Sequence, residues 1–302
     1  MLYWGLFDIE GIIAPVFTPI DDKGNINTKI IPEYAQYLHK HGIKGILVGG
    51  TTGEAVSLSL EERKDVLLTW INEAQPLGIK VISQVGGVPL TDVLAMASYS
   101  EEVGANCIMT LPELYFRPRT CEELVSYLEL VSKAAPTLPL LYYHYPMISR
   151  VDFNMAEFFE MASSRISNFK GMKADLDVAV QVADQLHDDQ KIFIAYHLLA
   201  PAVLLGHDSS ISTITNLLPG LVQDVVETTK SHDVVKARNL QEKLNKIVKG
   251  ITIEDSFVPA MKVAMELITG IRVGPPRLPL LPLNETSVAR IADHIRSSGY
   301  DL

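Results

Sequence analysis

The chain has 302 residues, of which 47% are hydrophobic and 21% charged, as is typical of one large globular domain or two small ones. Its formal net charge of −10 argues against nucleic acid or an anionic membrane as a partner, because either needs a basic face. No apolar stretch reaches the roughly 18 residues of a spanning helix, and residues 1–11 lack the positive start of a signal peptide. With only Cys107 and Cys121, the sequence predicts a cytoplasmic protein without a disulfide framework or a metal cluster.

Short apolar or β-branched runs alternate with segments of helical period along the first 232 residues. The candidate strands are GIIAPVFTPI (11–20), GILVGG (45–50), KVISQVGG (80–87), CIMTLP (107–112), PLLYYHYP (139–146), FKGMKA (169–174), KIFIAY (191–196) and SSISTI (209–214). Between them, apolar residues recur three and four apart, and Ser59 and Thr120 suit the starts of two helices. Eight strand–helix units with short connections predict a closed (β/α)8 TIM barrel. A doubly wound open sheet is the competing architecture, which the strand count disfavours.

The last part of the chain, residues 233–302, contains three further segments of helical period. They are VVKARNLQEKLNKIVKG (234–250), DSFVPAMKVAMELITG (255–270) and NETSVARIADHIRSS (284–298). The proline-rich GPPRLPLLPL (274–283) separates the last two, and no linker divides the chain into independent parts. We therefore expect one α/β domain, in which residues 1–232 form the barrel and residues 233–302 a C-terminal three-helix extension.

A lysine lies on the sixth predicted strand, where strand interiors usually carry apolar residues. Functional groups of such barrels cluster at the C-terminal ends of the strands, which makes Lys173 a candidate. If its side chain points into the barrel, loss of water disfavours the charged ammonium, and the neutral amine forms a Schiff base with a carbonyl carbon. The alternative is a lysine that emerges at the strand end into solvent and has no catalytic role.

The segment GGTTGE (49–54) follows the second predicted strand. Adjacent glycines and threonines can present backbone N–H groups and hydroxyls to one anion, such as a carboxylate. It is not a P-loop, because no Gly-Lys-Ser/Thr follows at the required spacing. A tight turn that uses glycine for its backbone freedom is the alternative interpretation.

Three tyrosines lie on or next to the fifth predicted strand. Alternation places Tyr143 and Tyr145 on one face and Tyr142 on the other. A phenol near a carbonyl centre can relay a proton, although each tyrosine alone also suits aromatic packing. The histidines show no spacing typical of metal ligands, so we expect no metal site.

Together these residues resemble the N-acetylneuraminate lyase and dihydrodipicolinate synthase family of pyruvate-dependent class I aldolases. The resemblance covers nearly the whole chain and rests on GGTTGE (49–54), YYHYP (142–146) and GMK (171–173), in that order and at the spacing of the family. YFRP (115–118) and GPPRLPLLPL (274–283) add to it, and the latter looks most like the animal N-acetylneuraminate lyases.

The resemblance implies a role for several residues of this chain. Lys173 would form the Schiff base with a 2-oxo acid, and Tyr143 would relay protons. Thr51 and Thr52 would bind the carboxylate of pyruvate, and Tyr115 would reach the site of a neighbouring subunit in a homotetramer or homodimer. The protonated imine acts as the electron sink, so no separate cofactor is expected.

The sequence departs from the sialic-acid lyases where those enzymes hold the sugar. Their Gly-x-Asp-Glu stretch after strand seven is matched here by Ile-Ala-Tyr-His at residues 194–197, which removes two carboxylates and places Tyr196 and His197 there. Asp175 replaces a serine or threonine, and Thr213 lies in the Ser-Thr pair that matches their Gly-Ser on strand eight. Asp175 would either hold the lysine charged or act as an acid–base group.

These departures lead to two hypotheses. The first is a Schiff-base lyase or aldolase whose pyruvate half is intact and whose second substrate is not sialic acid, because lost hydrogen-bond partners impair binding of the sugar hydroxyls. The second is a catalytically weak or inactive homologue that binds a 2-oxo acid without turnover, or that serves as a scaffold.

Overall fold

The structure is a computed structural model that describes residues 7–254, 256–300 and 302. Its strands are β1 Ile12–Pro15, β2 Gly45–Val48, β3 Lys80–Gln84, β4 Cys107–Thr110, β5 Leu140–Tyr143, β6 Phe169–Ala174, β7 Lys191–Ala195 and β8 Ser210–Ile211. They pair in parallel in chain order, and β8 pairs with β1 to close the barrel. The predicted (β/α)8 barrel is therefore confirmed. The first six residues of the segment assessed as a signal peptide lie outside the described residues.

Helices surround the barrel and continue beyond it. They are α1 Ile31–Lys40, α2 Leu60–Ala74, α3 Leu90–Glu102, α4 Cys121–Ala134, α5 Pro146–Ser149, α6 Met155–Arg165, α7 Leu176–Gln181, α8 Leu199–Leu204, α9 Pro219–Lys230, α10 Val234–Ile251, α11 Phe257–Thr269 and α12 Glu285–Ser297. Ser59 and Glu62 form a reciprocal capping box at the start of α2, as the sequence pattern indicates. Asp255, at the start of the predicted helix 255–270, lies outside the described residues. In the described part of the chain, no helix has the length and apolarity needed to span a membrane.

Alternation along the strands divides the apolar side chains between two layers. The inner layer fills the barrel and consists of Ile9, Ile13, Leu47, Ile82, Cys107, Met109, Leu111, Leu141, Tyr143, Phe193 and Ile211. The outer layer lies between the strands and the helices and contains Tyr142 and Met172. Strand β5 therefore directs Tyr143 inward and Tyr142 outward, as the alternation predicts.

Strand β6 contains a bulge that decides which way its lysine points. Pairing with β5 skips Lys170, and Phe169 before the bulge packs in the outer layer. The next residue, Gly171, has φ +126, and a Cβ there would collide with the carbonyl oxygen of Lys191. Beyond the bulge, the strand presents Lys173 to the interior of the barrel. Glycine is required at this position because the backbone passes too close to β7 for a side chain.

A buried ion pair joins the C-terminal helices to the GGTTGE segment. The ammonium of Lys262 on α11 lies 2.7 Å from the carboxylate of Glu54, and both side chains are only 1% exposed. Lys262 also donates hydrogen bonds to the carbonyl oxygens of Thr18 and Pro275, and Glu54 accepts one from the backbone N–H of Arg277. Burial lowers the pKa of Lys262. The C-terminal helices therefore hold the turn that follows β2.

Candidate active site

A cavity of about 360 Å³ opens at the C-terminal ends of the strands, where the fold places functional groups. Six residues predicted for the site line it: Thr51, Thr52, Tyr143, Lys173, Tyr196 and Thr213. These residues come from five different strand–loop units, so folding brings together groups that are far apart in the sequence. The cavity is the candidate active site.

Lys173 lines the cavity and is buried, with 7% of the residue exposed. Its Nζ donates a hydrogen bond of 3.1 Å to the Oη of Tyr143 and lies 4.2 Å from the centre of the same ring. Within the described residues, Nζ has no carboxylate oxygen at ion-pair distance. The side chain points into the barrel, so the interpretation of a solvent-exposed lysine is wrong.

A chain of hydrogen-bonded groups extends from this amine. The Oη of Tyr143 lies 3.0 Å from the Oγ1 of Thr51, so the phenol contacts both the amine of Lys173 and a hydroxyl. Next to it, the hydroxyls of Thr52 and Thr213 lie 2.7 Å apart. A phenol in such a position can pass a proton between an amine-bound group and a hydroxyl.

The GGTTGE segment forms a tight turn, which holds the two threonines at the cavity. The backbone N–H of Gly53 donates to the carbonyl oxygen of Gly50, and that of Glu54 donates to the carbonyl oxygen of Thr51. Glu54 adopts the left-handed backbone at φ +55, where its carboxylate meets Lys262. The interpretation of a turn is confirmed, and binding of an anion by Thr51 and its neighbours stays a prediction.

Aromatic side chains form one wall of the cavity. The rings of Tyr143 and Tyr145 stack with centroids 5.9 Å apart, and Tyr145 meets Tyr196 edge-on at 6.4 Å. Burial raises the pKa of Tyr145 and of Tyr196, so both phenols stay protonated at neutral pH. Burial also lowers the pKa of His197, which favours the neutral imidazole.

Two predicted site residues do not line the cavity of their own chain. Asp175 lies between β6 and α7 and is half-buried; burial raises its pKa, Asp177 adds to this, and Lys173 opposes it. Tyr115 is 78% exposed on the loop after β4 and packs edge-on against Phe116. The roles of Asp175 in binding substrate and of Tyr115 in catalysis stay predictions.

Sequence reasoning missed a group of lining residues from the C-terminal helices and the segment between them. Val248, Thr252, Phe257 and Met261 close the cavity on this side. They carry no motif, and the helical period of their segments indicates only that one face is buried. Their place over the barrel depends on tertiary packing, including the contact of Lys262 with Glu54.

Comparison with known proteins identifies the family. Residues 8–297 match the dihydrodipicolinate synthetase family. The chain belongs to this family. It is 30% identical to the N-acetylneuraminate lyase of Mus musculus over 295 residues, which covers 96% of this chain and 92% of that protein. It is 32% identical to the N-acetylneuraminate lyase of Homo sapiens over 278 residues, covering 90% and 87%.

A solved structure shares the architecture of this chain. The N-acetylneuraminate lyase of Proteus mirabilis superposes with a TM-score of 0.91 at 28% identity and covers 97% of this chain and 99% of its own. Membership of the family confirms the prediction of a class I pyruvate-dependent lyase on a TIM barrel.

Proposed function

We propose that the protein forms a Schiff base between Lys173 and a 2-oxo acid such as pyruvate, and makes or breaks a carbon–carbon bond to an aldehyde. The observation that carries this proposal is the buried amine of Lys173, hydrogen-bonded to Tyr143 inside the cavity. A primary amine attacks the keto carbon, and loss of water leaves an imine. Several relatives are N-acetylneuraminate lyases, which supports the same class of reaction.

The tyrosine supplies the proton transfers of this reaction. When the imine forms, Tyr143 gives a proton to the oxygen that leaves as water; during cleavage it takes the proton of the substrate's C4 hydroxyl. The C3–C4 bond then breaks, the aldehyde departs, and the electron pair moves into the protonated imine as an enamine. Protonation at C3 and hydrolysis release pyruvate and restore Lys173.

In this proposal the turn formed by GGTTGE (49–54), here called the threonine turn, binds the carboxylate of the 2-oxo acid. Thr51 and Thr52 both line the cavity, and the buried ion pair of Glu54 with Lys262 holds the turn in place. Hydroxyls and backbone N–H groups of a turn are suitable donors to a carboxylate.

The second substrate is not sialic acid in this proposal. At residues 194–197 the chain lacks the two carboxylates expected to hold sugar hydroxyls, and Tyr196 and His197 line the cavity instead. A site that hydrogen-bonds hydroxyls discriminates by several kcal/mol, so loss of these partners impairs sugar binding. Asp175 and Thr213 keep their predicted substrate-binding roles in this proposal, although Thr213 contacts Thr52 and Asp175 does not line the cavity.

We also propose a cytoplasmic homotetramer or homodimer in which Tyr115 reaches a neighbouring subunit. Tyr115 and Phe116 are 78% and 82% exposed, and two large aromatic side chains that pack edge-on in solvent suit a contact with another copy.

Borohydride trapping tests the proposal. Reduction in the presence of pyruvate should attach the three-carbon acid to Lys173, which peptide mass spectrometry locates. The buried lysines Lys170 and Lys262 serve as internal controls, because each is paired with a carboxylate and should stay unmodified. Absence of an adduct on Lys173 would rule out the Schiff-base reaction.

The altered residues 194–197 and Asp175 favour a second candidate, a homologue that binds a 2-oxo acid without turnover. Calorimetry with pyruvate, beside an assay of pyruvate release from a panel of 4-hydroxy-2-oxo acids, separates the two. Pyruvate release supports the lyase, whereas binding without release across the panel supports the second candidate.

A further inference from the structure

The lining residues that the proposed function does not assign to the 2-oxo acid include a mostly apolar set, here called the second half of the cavity. It is formed by Tyr145, Met147, Tyr196, His197, Ile214, Val248, Thr252, Phe257 and Met261. Most of these side chains are aromatic, aliphatic or thioether groups. Aromatic pairs at the observed stacked and edge-on spacings leave ring faces and edges that favour another flat apolar group.

Charge is scarce in these walls. Among the lining residues that the structure describes, Lys173 is the charged one, and the buried imidazole of His197 favours its neutral form. Burial raises the pKa of Tyr145 and Tyr196, and the half-buried carboxylate of Asp175 adds to this, yet Asp175 does not line the cavity. In this half, a ligand with several hydroxyls would meet three hydroxyls and one imidazole but no carboxylate among the described lining residues, and each of its hydroxyls left without a partner would cost about 1–3 kcal/mol.

The size of the cavity sets the size of the group that enters it. An apolar cavity on the order of 150 Å³ holds one benzene ring. A cavity of about 360 Å³ therefore accommodates the three-carbon acid on Lys173 together with one ring or a branched alkyl group. Met147 and Met261 add unbranched, adaptable side chains that fit around such a group.

We propose that the second half binds an apolar, ring-sized aldehyde, so that the substrate is a 4-hydroxy-2-oxo acid with an aryl or branched alkyl group on C4. This inference rests on the proposed Schiff-base function of Lys173. In the cleavage direction, the C3–C4 bond breaks, the C4 hydroxyl loses its proton and becomes the carbonyl of the aldehyde, and C3 gains a proton to give pyruvate. The reverse direction needs only the same two products.

Two matched substrates test the inference. One is 4-hydroxy-2-oxo-4-phenylbutanoate, the adduct of pyruvate with benzaldehyde, and the other is the adduct of pyruvate with the four-carbon sugar erythrose. Pyruvate release should give a kcat/KM at least 100-fold higher for the phenyl compound. The double variant Tyr196→Asp, His197→Glu introduces two carboxylates and should lower the ratio of kcat/KM for the phenyl compound to kcat/KM for the sugar adduct at least tenfold.

Controls keep the outcomes distinct. Val180→Asp adds a charge on an exposed position of α7 that does not line the cavity, and it should leave the ratio unchanged. If the double variant does not fold, Tyr196→Ala should lower kcat/KM for the phenyl compound about tenfold while pyruvate is still trapped on Lys173. A sugar adduct cleaved as well as the phenyl compound, with trapping intact, overturns this inference alone. Absence of trapping overturns both the inference and the proposed function.

Discussion

The position of the Tyr143 hydroxyl follows from its two neighbours. It accepts a hydrogen bond from Lys173 at 3.1 Å and lies 3.0 Å from the hydroxyl of Thr51, while its ring stacks on Tyr145. The ring contacts hold the phenol whether or not the hydroxyl is present. Removal of the oxygen alone therefore separates proton transfer from packing.

Tyr143→Phe should lower kcat by roughly 10²- to 10³-fold, within the range of general acid–base catalysis, and change the KM of the 2-oxo acid little. Tyr145→Phe is the matched control, because it removes a hydroxyl from the same aromatic wall without touching the amine. Steady-state kinetics with a cleaved 4-hydroxy-2-oxo acid measures both. Equal losses in the two variants would contradict a relay through Tyr143.

Single residues were predictable where a local rule decided them. Lys173 is a candidate because a charged residue on a barrel strand is unusual, whereas its Schiff-base role and the choice of Tyr143 among the tyrosines follow from the resemblance to the family. The partner of Glu54 was not predictable, because Lys262 lies in a helix whose period shows only a buried face. The exposure of Tyr115 likewise depends on how its loop lies.

Simple alternation fails for β6, which shows the limit of sequence patterns at the level of an element. Counting from Phe169 would place it and Lys173 on one face, whereas Phe169 packs in the outer layer and Lys173 points inward. The extra residue at the bulge, Lys170, shifts the alternation by one, so side chains after it lie on the opposite face from the one expected. The sequence shows a glycine at position 171, but the need for glycine there arises from the close approach of the β7 backbone, which the sequence does not show.

Gly171→Ala should destabilise the protein by about 3 kcal/mol or more, because the new methyl meets the carbonyl oxygen of Lys191 and the backbone is left-handed. Any folded fraction should also lose trapping of pyruvate, since relief of the clash shifts the strand that carries Lys173. Urea unfolding followed by circular dichroism measures the first effect.

Gly220→Ala is the control for this prediction. Gly220 lies in the first turn of α9, and nothing lies within 4 Å of a Cβ built there, so alanine should be neutral or slightly stabilising. Equal stability of the two variants would show that the strand tolerates a side chain at the bulge.

At the scale of the whole molecule, repetition made the barrel predictable. Eight strand–helix units in a row predict that the strands pair in chain order. Strand β8 is only two residues long, but the seven parallel strands before it place it next to β1, where it closes the barrel. The C-terminal helices do not repeat the strand–helix unit, so the sequence pattern does not predict where they pack on the barrel. We propose that residues 1–232 and residues 233–302 form one cooperative unit, joined by the ion pair of Glu54 and Lys262.

Lys262→Met tests this unit because it leaves the carboxylate of Glu54 buried without its cation. Breaking a buried pair in this way costs about 3–5 kcal/mol, and the turn that carries Thr51 and Thr52 should loosen. We expect a lower urea midpoint in a single transition and a KM for the 2-oxo acid raised several-fold.

The double variant Glu54→Gln, Lys262→Met separates the loss of the pair from the cost of an unpaired charge. Replacing both partners removes the buried charge, so the double variant should be more stable than Lys262→Met alone. Lys64→Met is the surface control, since Lys64 pairs with an exposed Glu61 and should change stability little. Two separate urea transitions in the unmodified protein would contradict a single cooperative unit. A double variant less stable than Lys262→Met would contradict the claim that the unpaired carboxylate of Glu54 destabilises that single variant.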